Sequence, residues 1–511
     1  MSDKESDRIA VLDFGSQYSH LICRRIRDFS VRAELLPFDT DVDKVLTPKT
    51  KGVIFSGGPS STYTENAPMP QQGILESDIP VLGICYGHQI IVSRCGGVVK
   101  RVSREYGHST LMIHNSDGLF EGLDSSIEAW MSHGDEAETI PSGFRVIGHT
   151  SSAAAAAICN DSNRVFGLQF HPEVAHTPKG SDILHNFAVK ICGARQNWTM
   201  ETFTTSTIKK LSGISDRVLC GVSGGVDSSV AAILLHRAIG DRLRCVFVEN
   251  GLLRHNEALQ VTEMFAELDI PMDVIDASES FLNLLRDVDD PEDKRSIIGE
   301  EFVRVFTEYS KKNGPFQWLA QGTLYPDVIE SGVSGGPAAV IKSHHNVGGL
   351  PEWLGLDIIE PLRDLYKDEV RDVGRVLGVP SKFLQRHPFP GPGLAVRIMG
   401  RITPNKLRIC RQASRIVEEE ILSAGMYNDI WQAYASVGDD LAVGVVGDAR
   451  MHGHIVMIRV VKSVDAMTAD WARLDHALLE SMSNRITNEI DEVTWVTYAI
   501  SSKPPATIEP Q

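Results

Sequence analysis

The segment PVLGICYGHQ, residues 80–89, runs from a short apolar stretch into a turn, which indicates a buried strand that ends in a loop. Cys85 lies at the junction between Gly83 and Gly87, whose missing side chains free the backbone for a sharp bend. A buried cysteine is usually a small hydrophobic residue in a core. A cysteine at a strand end beside such a bend can also be a nucleophile, so its companions elsewhere in the chain must decide between the two interpretations.

Three other segments within the first 190 residues repeat the pattern of an apolar run that ends in Gly or Pro. They are RIAVLDFGSQ (8–17), GVIFSGGPS (52–60) and RVFGLQFHPE (164–173). Continuous apolar runs of this kind are typical of buried parallel strands. Between them, YSHLICRRIRDF (18–29) carries apolar residues at helical spacing. The sequence therefore predicts an α/β sheet with its chemistry at the carboxyl ends of the strands.

A second α/β pattern follows residues 193–206, which lose periodicity and are predicted to form a linker. It begins with DRVLCGVSGGVDSSVAAILLHRAIG (216–240) and continues through a strand, a helix and another strand up to residue 276. The Pro- and Gly-rich segment 386–397 is predicted to be a hinge. The last ~120 residues mix a long helical stretch with two strands, so we expect an α+β unit there.

Composition excludes several classes of protein. The chain has 511 residues with a formal charge of −17, from 50 Lys and Arg against 67 Asp and Glu, which argues against nonspecific binding of nucleic acid. Its eight cysteines are scattered and form no C-x-x-C pair, so a disulfide framework or zinc knuckle is not expected. The polar start MSDKESDR and the lack of a long apolar run predict a cytosolic protein without a membrane segment.

Two companions favour a chemical role for Cys85. The segment GLQFHPE ends a strand at His171, Pro172 and Glu173, and residues two apart in an extended segment project to the same side. A thiolate at neutral pH needs a neighbouring base, and that base needs an orienting carboxylate. The glycines of FSGGPSS (55–61) leave backbone N–H groups open for a developing oxyanion. Cys85, His171 and Glu173 are therefore predicted to be nucleophile, base and orienting group.

These segments, GICYGHQ, SGGP and QFHPE, resemble the class I glutamine amidotransferases, whose domain would cover residues 8–197. The resemblance implies that Cys85 attacks the side-chain amide of glutamine, that His171 moves the protons and that Glu173 holds His171. It also implies an oxyanion hole and a glutamine pocket, which would be formed by Gly57, Tyr86, Gln89, Ser132, His133 and Asp135. His88 stands where an apolar residue is expected, and we interpret it as a variation in packing.

The segment GVSGGVDSS (221–229) follows a strand and opens a helix, so its backbone amides and the helix N-terminus form an anion cradle. It lacks the Gly-Lys-Ser/Thr ending of a Walker loop. It resembles the pyrophosphate loop of the N-type ATP pyrophosphatases, with an adenine-nucleotide α-hydrolase-like domain implied over 198–390. The resemblance assigns ATP to Ser223, Gly224, Gly225, Val226, Asp227, Ser228 and Ser229. Asp227 would also bind Mg²⁺, whereas Glu249 stands where the family usually has aspartate.

Five further segments together resemble the glutamine-hydrolysing GMP synthases. They are DPEDKRSIIGEEF (290–302), QGTLYPDVIES (321–331), KSHHNVGGLPE (342–352), RHPFPGPGL (386–394) and SSKPPATIE (501–509). The resemblance implies ATP-dependent amination of XMP, a C-terminal dimerisation domain over 391–511 and a homodimer. It places XMP or its lid against Lys294, Arg295, Lys342, Gly391, Gly393, Lys503, Thr507, Ile508 and Glu509. The family tail usually continues past Ile-Glu with a tryptophan and an acid, where this chain has Pro510 and Gln511.

The residues leave three other interpretations open. The same pyrophosphate loop is similar in asparagine-, NAD- and argininosuccinate-forming enzymes, which the class I glutaminase segment and the KPPATIE tail disfavour. An RNA-modifying adenylase would need a basic tract to bind RNA, and the net charge of −17 disfavours this class of enzyme. A nucleotide sensor with decayed sites is disfavoured because the triad and loop residues are all present.

Overall fold

A computed structural model describes residues 6–114, 118–162, 164–330, 356–446, 448–463 and 468–511, without the side chains of 102–104, 329, 330 and 446. The described chain packs as two units. The first ends at Ser206, and the second comprises Thr207–Val328 and the residues from 356 onward.

The first unit contains one large mixed sheet. In spatial order its described strands are β2, β1, β3, β4, β9, β8, β7, β5 and β6. The first five in that order run parallel, and the remaining pairs are antiparallel. The strands are β1 (Arg8–Asp13), β2 (Arg32–Pro37), β3 (Thr50–Phe55), β4 (Val81–Ile84), β5 (Val98–Ile113), β6 (Ser126–Thr139), β7 (Phe144–His149), β8 (Ala157–Asn160) and β9 (Val165–Leu168).

Both faces of this sheet are covered. Ile9 and Val11 of β1 belong to one apolar core, and Ala10 and Leu12 belong to a second core on the opposite face. This alternation follows from the two-residue period of a strand, and it explains why β1 is a continuous apolar run. The helices of this unit are α1 (Ser19–Asp28), α2 (Val42–Val45), α3 (Tyr86–Arg94), α4 (Gly180–His185) and a following π-helix (Asn186–Ile191).

The predicted linker is partly helical, because α5 (Met200–Leu211) begins within it. Phe203 is buried, and its ring lies edge-on to Trp198 with ring centroids 5.6 Å apart. The two aromatic residues give this stretch an apolar contact, which its lack of periodicity concealed.

A tight turn joins β4 to α3. Cys85 adopts φ +52° and ψ −102°, a conformation that is strained for any residue with a side chain. Gly87 lies so close to β3 that an added Cβ would be 2.3 Å from the carbonyl oxygen of Phe55. Its N–H group donates to the carbonyl of Ser56 at 3.0 Å. The turn is thus fixed between two strand ends, and a side chain at position 87 does not fit.

The second unit opens with a five-stranded sheet whose described strands all run parallel, in the order β12, β11, β10, β13, β14. They are β10 (Val218–Val222), β11 (Leu243–Glu249), β12 (Met272–Asp276), β13 (Trp318–Ala320) and β14 (Asp357–Ile359). The strand order reverses between β10 and β13, which is where ligands bind in open α/β sheets. This arrangement confirms the predicted α/β class.

Most helices of the second unit belong to this sheet region. They are α6 (Val226–Ile239), α7 (Glu257–Glu267), α8 (Ser278–Leu284), α9 (Pro291–Asn313), α10 (Tyr325–Glu330), α11 (Lys367–Val376) and α12 (Ser381–Leu384). The long helix α9 starts at a proline, and the Asp290 side chain caps it by accepting from the N–H groups of Glu292 and Asp293.

The remainder of the second unit is α+β, as predicted. Its described strands are β15 (Gln432–Val446), β16 (Ala449–Lys462), β17 (Asp470–Trp471) and β18 (Val493–Tyr498), and its helices are α13 (Pro404–Ser423) and α14 (His476–Glu489). β16 is central: it pairs with β15 and β17 antiparallel and with β18 parallel.

One apolar core runs through the whole second unit and includes Leu219, Leu394 and Ile458. The predicted hinge lies inside it, since Gly393–Arg397 is a buried 3₁₀ helix. The division into domains at 197/198 and 390/391 stays a prediction.

No helix in the described residues is long and apolar enough to cross a membrane. All eight cysteines lie in the described residues, and all are free thiols.

The contact at Gly87 predicts a large effect of a single methyl group. Gly87→Ala forces the α3 turn away from Phe55, and overpacking of this kind costs about 1–3 kcal/mol of unfolding free energy or more. Gly299→Ala is the matched control, because Gly299 is exposed on α9 and nothing lies within 4 Å of an added Cβ. There we expect a gain of about 0.5–1 kcal/mol. Denaturant unfolding of both variants tests this, and equal effects in the two would contradict it.

Candidate active site

The thiol of Cys85 is buried at the carboxyl edge of the first sheet, with the residue 6% exposed. Its N–H group donates to the carbonyl of Leu168 at 2.7 Å, which ties the turn to β9. The sulfur lies 3.6 Å from the carbonyl oxygen of Ser132 and 3.9 Å from Nε2 of Gln169. The strained turn thus holds the sulfur among residues from β6 and from the end of β9, as a nucleophile at a strand-to-helix turn requires.

His171 and Glu173 form a buried pair beside this thiol. Nδ1 of His171 lies 2.7 Å from Oε1 of Glu173, and both side chains are almost fully buried. Burial alone would lower the pKa of His171, but the Glu173 carboxylate and the hydrogen bond to the Cys85 thiol hold that pKa well above its ordinary value. An imidazolium held in this way favours the thiolate form of its partner. The predicted triad residues are brought together.

The predicted oxyanion donors lie next to the triad. A Cβ added to Gly57 would be 3.1 Å from the His171 ring, a tight contact that glycine avoids. Tyr86 is the first residue of α3, where backbone N–H groups have no partner within the helix. Its phenol is anchored at a distance, donating to the carbonyl of Pro68 at 2.9 Å. The geometry is compatible with an oxyanion hole, and this role stays a prediction.

The residues predicted to line the glutamine pocket are joined by hydrogen bonds. Nε2 of Gln89 donates to the backbone carbonyl of Asp135 at 2.9 Å. The Asp135 carboxylate accepts from the hydroxyl of Tyr63 at 2.9 Å and from that of Ser61. His133 is buried, and its Nε2 lies 3.0 Å from a carboxylate oxygen of Glu105.

Four residues near this pocket escaped the sequence analysis. They are Tyr18, whose ring lies edge-on to His171, and Ser61, Tyr63 and Gln169. Tyr18, Ser61 and Gln169 lie within the segments 18–29, 55–61 and 164–173, but no spacing signal distinguishes them there.

His88 is a packed residue. It is fully buried on α3, and a Cβ added to Gly167 of β9 would be 2.3 Å from its Nδ1. Burial and the neighbouring His133 lower its pKa to about 3, so the ring is neutral at physiological pH. The glycine of β9 makes room for the imidazole, which supports the interpretation as a packing variation.

The loop between β10 and α6 has the form of an anion cradle. Gly224 has φ +77°, a conformation that side chains disfavour. The Ser223 N–H group donates to Oγ of Ser228 at 3.1 Å, and the two hydroxyls are 3.0 Å apart. The loop lies at the point where the strand order reverses and leads into the N-terminus of a 14-residue helix.

Asp227 and Lys367 form an ion pair at this loop. Nζ of Lys367 lies 2.6 and 2.5 Å from the two carboxylate oxygens, and both side chains are about one-third exposed. Across the reversal point, a Cβ added to Gly322 would be 2.9 Å from the N atom of Ser228. Lys367 is not among the predicted residues, since a lysine at the start of a surface helix has no distinguishing pattern.

The tail is held by buried arginines. Arg397 makes two hydrogen bonds to the Glu509 carboxylate, at 2.9 and 3.1 Å. Arg459 donates to the carbonyls of Ser501, Thr507 and Ile508 at 2.7–3.1 Å. These contacts hold Thr507–Glu509 against Arg397 and Arg459, and the role of this segment in binding a nucleotide stays a prediction.

The other predicted nucleotide contacts have different surroundings. Gly393 (φ +65°) packs against Leu252, whereas nothing lies within 4 Å of a Cβ added to Gly391. The backbone of Lys503 pairs with that of Ala469. Arg295 pairs with Glu292 on the same helix. Lys342 lies outside the described residues.

Lys294 departs most from expectation. It is completely buried, and its Nζ donates to the carbonyls of Ile398 and Gly400 and to Oε1 of Gln511 at 2.7–2.8 Å. All three ammonium donors have partners within the protein, so the structure does not present Lys294 to a ligand.

Three family models match the chain in order. Glutamine amidotransferase class-I matches residues 10–191, tRNA methyl transferase HUP domain matches 216–287, and GMP synthase C terminal domain matches 419–510. The fold and the sites define a class I glutamine amidotransferase followed by a HUP domain and a GMP synthase C-terminal domain.

Curated relatives match over the full length. The chain is 50% identical over 511 residues to a glutamine-hydrolysing GMP synthase from Symbiobacterium thermophilum, with 99% of both chains covered. It is 51% identical over 509 residues to the enzyme of the same name from Thermomicrobium roseum, covering 98% of this chain and 96% of the relative. The chain belongs to the family of glutamine-hydrolysing GMP synthases.

The pair of His171 and Glu173 predicts a pH-dependent reactivity of Cys85. Glu173→Gln removes the charge that raises the pKa of His171, so the imidazolium that favours the thiolate is lost at lower pH. We expect alkylation of Cys85 by iodoacetamide at pH 6–7 to slow about tenfold, which corresponds to one pKa unit. The difference should disappear at alkaline pH, where the imidazole of His171 is neutral in both proteins.

Mass spectrometry of the peptide that contains Cys85 measures this rate, with Cys85→Ala as the background for other thiols such as the exposed Cys95. Identical pH profiles for the wild type and Glu173→Gln would show that the carboxylate does not control the pair.

Proposed function

We propose that this enzyme makes GMP from XMP, with ammonia from glutamine and activation by ATP. The observation that carries the proposal is the identity of about half of all residues, over the full length, to glutamine-hydrolysing GMP synthases. The buried Cys85–His171–Glu173 group and the Ser223–Ser229 loop support it, since one can release ammonia and the other can hold a nucleotide.

In the amidotransferase half, the Cys85 sulfur attacks the side-chain amide carbon of glutamine. His171 takes the thiol proton and delivers it to the leaving nitrogen, so ammonia departs and a thioester remains. Water then cleaves the thioester to give glutamate and the free thiol. Glu173 keeps His171 oriented, and the N–H groups of Gly57 and Tyr86 are proposed to stabilise the oxyanion.

In the synthetase half, the C2 oxygen of XMP attacks the α-phosphorus of ATP and pyrophosphate leaves. The loop amides and the N-terminus of α6 hold the departing pyrophosphate, and Lys367 lies where it can balance its charge. Ammonia then attacks C2, and AMP leaves because it is a far better leaving group than the original oxygen. The products are GMP, AMP and pyrophosphate.

Magnesium fits this site through a single carboxylate. The described residues contain no group of three or more His, Cys, Asp or Glu that could hold a metal ion. Mg²⁺ is often bound by one or two carboxylates together with substrate phosphates, so Asp227 at the phosphate loop is a suitable donor. When bound, the ion would offset negative charge on the ATP phosphates.

XMP is proposed to bind between the segment 391–397 and the tail. The arginine contacts to Thr507, Ile508 and Glu509 hold this part of the tail, and Lys503 is proposed to reach the 5′-phosphate. Arg295 and Lys342 are proposed lid residues. An acceptor other than XMP would not account for the match of residues 419–510 to the GMP synthase C-terminal domain.

The other interpretations are weaker. The HUP match carries the words tRNA methyl transferase, but it covers only 72 residues, 216–287, around the nucleotide loop. If the enzyme transferred ammonia to an acceptor other than XMP, the tail segment 501–509 would have no role in the reaction. A decayed sensor is disfavoured because the His171–Glu173 hydrogen bond is intact at 2.7 Å.

We also propose that the enzyme works in the cytosol, a setting that suits eight free thiols.

Homodimerisation is proposed through the C-terminal sheet. The apolar strand β16 does not offer this surface, because Val456, Ile458, Val460 and Val461 are buried in the core. Exposed apolar residues lie instead on β15 and β18, at Leu441, Val443, Val445 and Trp495. β15 is an edge strand, and Trp495 donates to its Val443 carbonyl at 3.0 Å, so these residues form one patch.

Sedimentation velocity tests this patch. We expect the wild type to sediment with twice the mass of the chain, and Val445→Lys with Leu441→Lys to convert it to monomer. Val376→Lys, at an exposed apolar residue on α11, is the control that should leave the mass unchanged. A monomeric wild type would contradict the proposal.

Product analysis tests the reaction itself. XMP, ATP, Mg²⁺ and glutamine should give GMP, AMP and pyrophosphate in equal amounts. Cys85→Ala should lose glutamine-dependent synthesis by about a thousandfold or more yet keep synthesis from ammonium salts, because it removes the nucleophile alone. Asp227→Ala should lower both by about a hundredfold or more, since both need adenylation.

The pair of variants separates the two halves. Loss of the ammonium-dependent reaction in Cys85→Ala would overturn the division of labour. Retention of that reaction in Asp227→Ala would overturn the role of Asp227. Absence of GMP with an intact wild type would overturn XMP as the acceptor.

A further inference from the structure

Lys294 and Gln511 form a contact that the reaction above does not use. Lys294 lies in the first turns of α9 and is fully buried, whereas lysine is almost never fully buried unless it is paired. A buried ammonium must find a partner for each of its three donors. Two partners are the backbone carbonyls of Ile398 and Gly400, and the third is the side-chain carbonyl of Gln511 at 2.7 Å.

A second buried lysine, Lys406, contacts the same stretch of backbone, residues 398–400. Nζ of Lys406 lies 3.3 Å from the carbonyl oxygen of Met399 and 2.6 Å from a carboxylate oxygen of Asp439. Three successive carbonyls, at 398, 399 and 400, are thus bound by two lysines. Burial and the nearby ammonium of Lys406 both disfavour the charged form of Lys294, so Lys294 depends on its acceptors to stay charged in the interior.

This strip continues directly from the segment that holds the tail. Arg397, the residue before it, binds Glu509 through two hydrogen bonds, and Gln432 donates to the same carboxylate. Tyr434 and Arg459 hold the carbonyl of Ile508. Gln511 extends this chain of contacts by two residues, from the proposed nucleotide-binding part of the tail to helix α9.

We propose that Gln511 is a positioning residue for the nucleotide substrate: by accepting the third hydrogen bond of Lys294, it fixes Thr507–Glu509 against the segment 391–397. This rests on the proposed binding of XMP by that part of the tail. In this proposal Lys294 holds the tail in place through Gln511, and it does not contact the ligand.

The contact carries a pH dependence. An ammonium donates more strongly to a carbonyl than a neutral amine does, so the tail is held best while Lys294 is protonated. Burial and Lys406 lower the pKa of Lys294 to about 8, and Asp289, Asp290 and Asp439 oppose this. The tail should therefore loosen as the pH rises through this range. A carboxylate at position 511 would raise the pKa and move the loosening to higher pH.

The test compares Gln511→Leu with Gln511→Glu in the full chain, with ammonium salts as the nitrogen source so that the amidotransferase is bypassed. We expect Gln511→Leu to raise KM for XMP about fivefold at pH 7.5 while KM for ATP and kcat stay within about twofold, the scale of one lost hydrogen bond. Gln511→Glu should keep the wild-type KM at pH 7.5 and shift its alkaline rise to higher pH. Gln385→Leu is the control, because Gln385 is an exposed glutamine directly after α12.

Wild-type KM values and pH profile in Gln511→Leu would overturn the proposal, as would equal changes in KM for XMP and ATP. A profile of Gln511→Glu that matches the wild type would overturn the link to Lys294. Hydrogen exchange of the tail amides 506–509 decides the contact without catalysis: faster exchange in Gln511→Leu supports it and unchanged exchange overturns it. A wild type that makes no GMP would instead count against the proposed function.

Discussion

The carboxyl edge of a parallel sheet is the constraint on which both sites depend. The carboxyl ends of neighbouring parallel strands lie side by side, so strand pairing alone brings together residues that are far apart in sequence. In the first sheet this edge brings Cys85 after β4 to His171 after β9, with Gly57 after β3 beside them. In the second, it places the Ser223–Ser229 loop opposite Gly322 at the reversal of strand order. Close approach requires glycine at Gly87 and Gly322, and a left-handed backbone favours glycine at Gly224.

Burial gives the two sites opposite electrostatic characters. In the amidotransferase site, the Glu173 carboxylate holds the pKa of the buried His171 high, which favours an ion pair between the imidazolium and the Cys85 thiolate. In the synthetase site, the ion pair of Asp227 and Lys367 is about one-third exposed. Such a pair can be broken by a phosphate at modest cost, because exposed ion pairs contribute little to stability. In the reaction proposed above, the first site would be organised before substrate arrives, and the second would exchange its internal ion pair for the phosphates of the ligand.

The tail shows a third use of buried charge. Arg397, Arg459, Lys294 and Lys406 are all buried, and most of their partners are backbone carbonyls or residues of the tail. Two of these cations are also paired with a carboxylate, Arg397 with Glu509 and Lys406 with Asp439. Arg397, Arg459 and Lys294 have partners in the tail, so their contacts depend on the tail being in place. The tail follows β18 and has little regular structure of its own, and these contacts make it part of the second unit. It forms one side of the proposed nucleotide site.

The sequence by itself determined the α/β class, the strand ends that carry Cys85 and the phosphate loop, and the segments that form each site, because apolar runs ending in glycine reveal buried strands and their turns. It could not assign Gln169, Tyr63 or Lys367, since single polar residues outside a pattern show no partner until the chain is folded. It placed Lys294 at a ligand and residues 386–397 in a hinge, whereas the first is fully buried and Gly393–Arg397 is a buried 3₁₀ helix. Only tertiary packing decides which lysine faces a ligand and which faces carbonyls, because the choice rests on contacts more than a hundred residues apart in sequence.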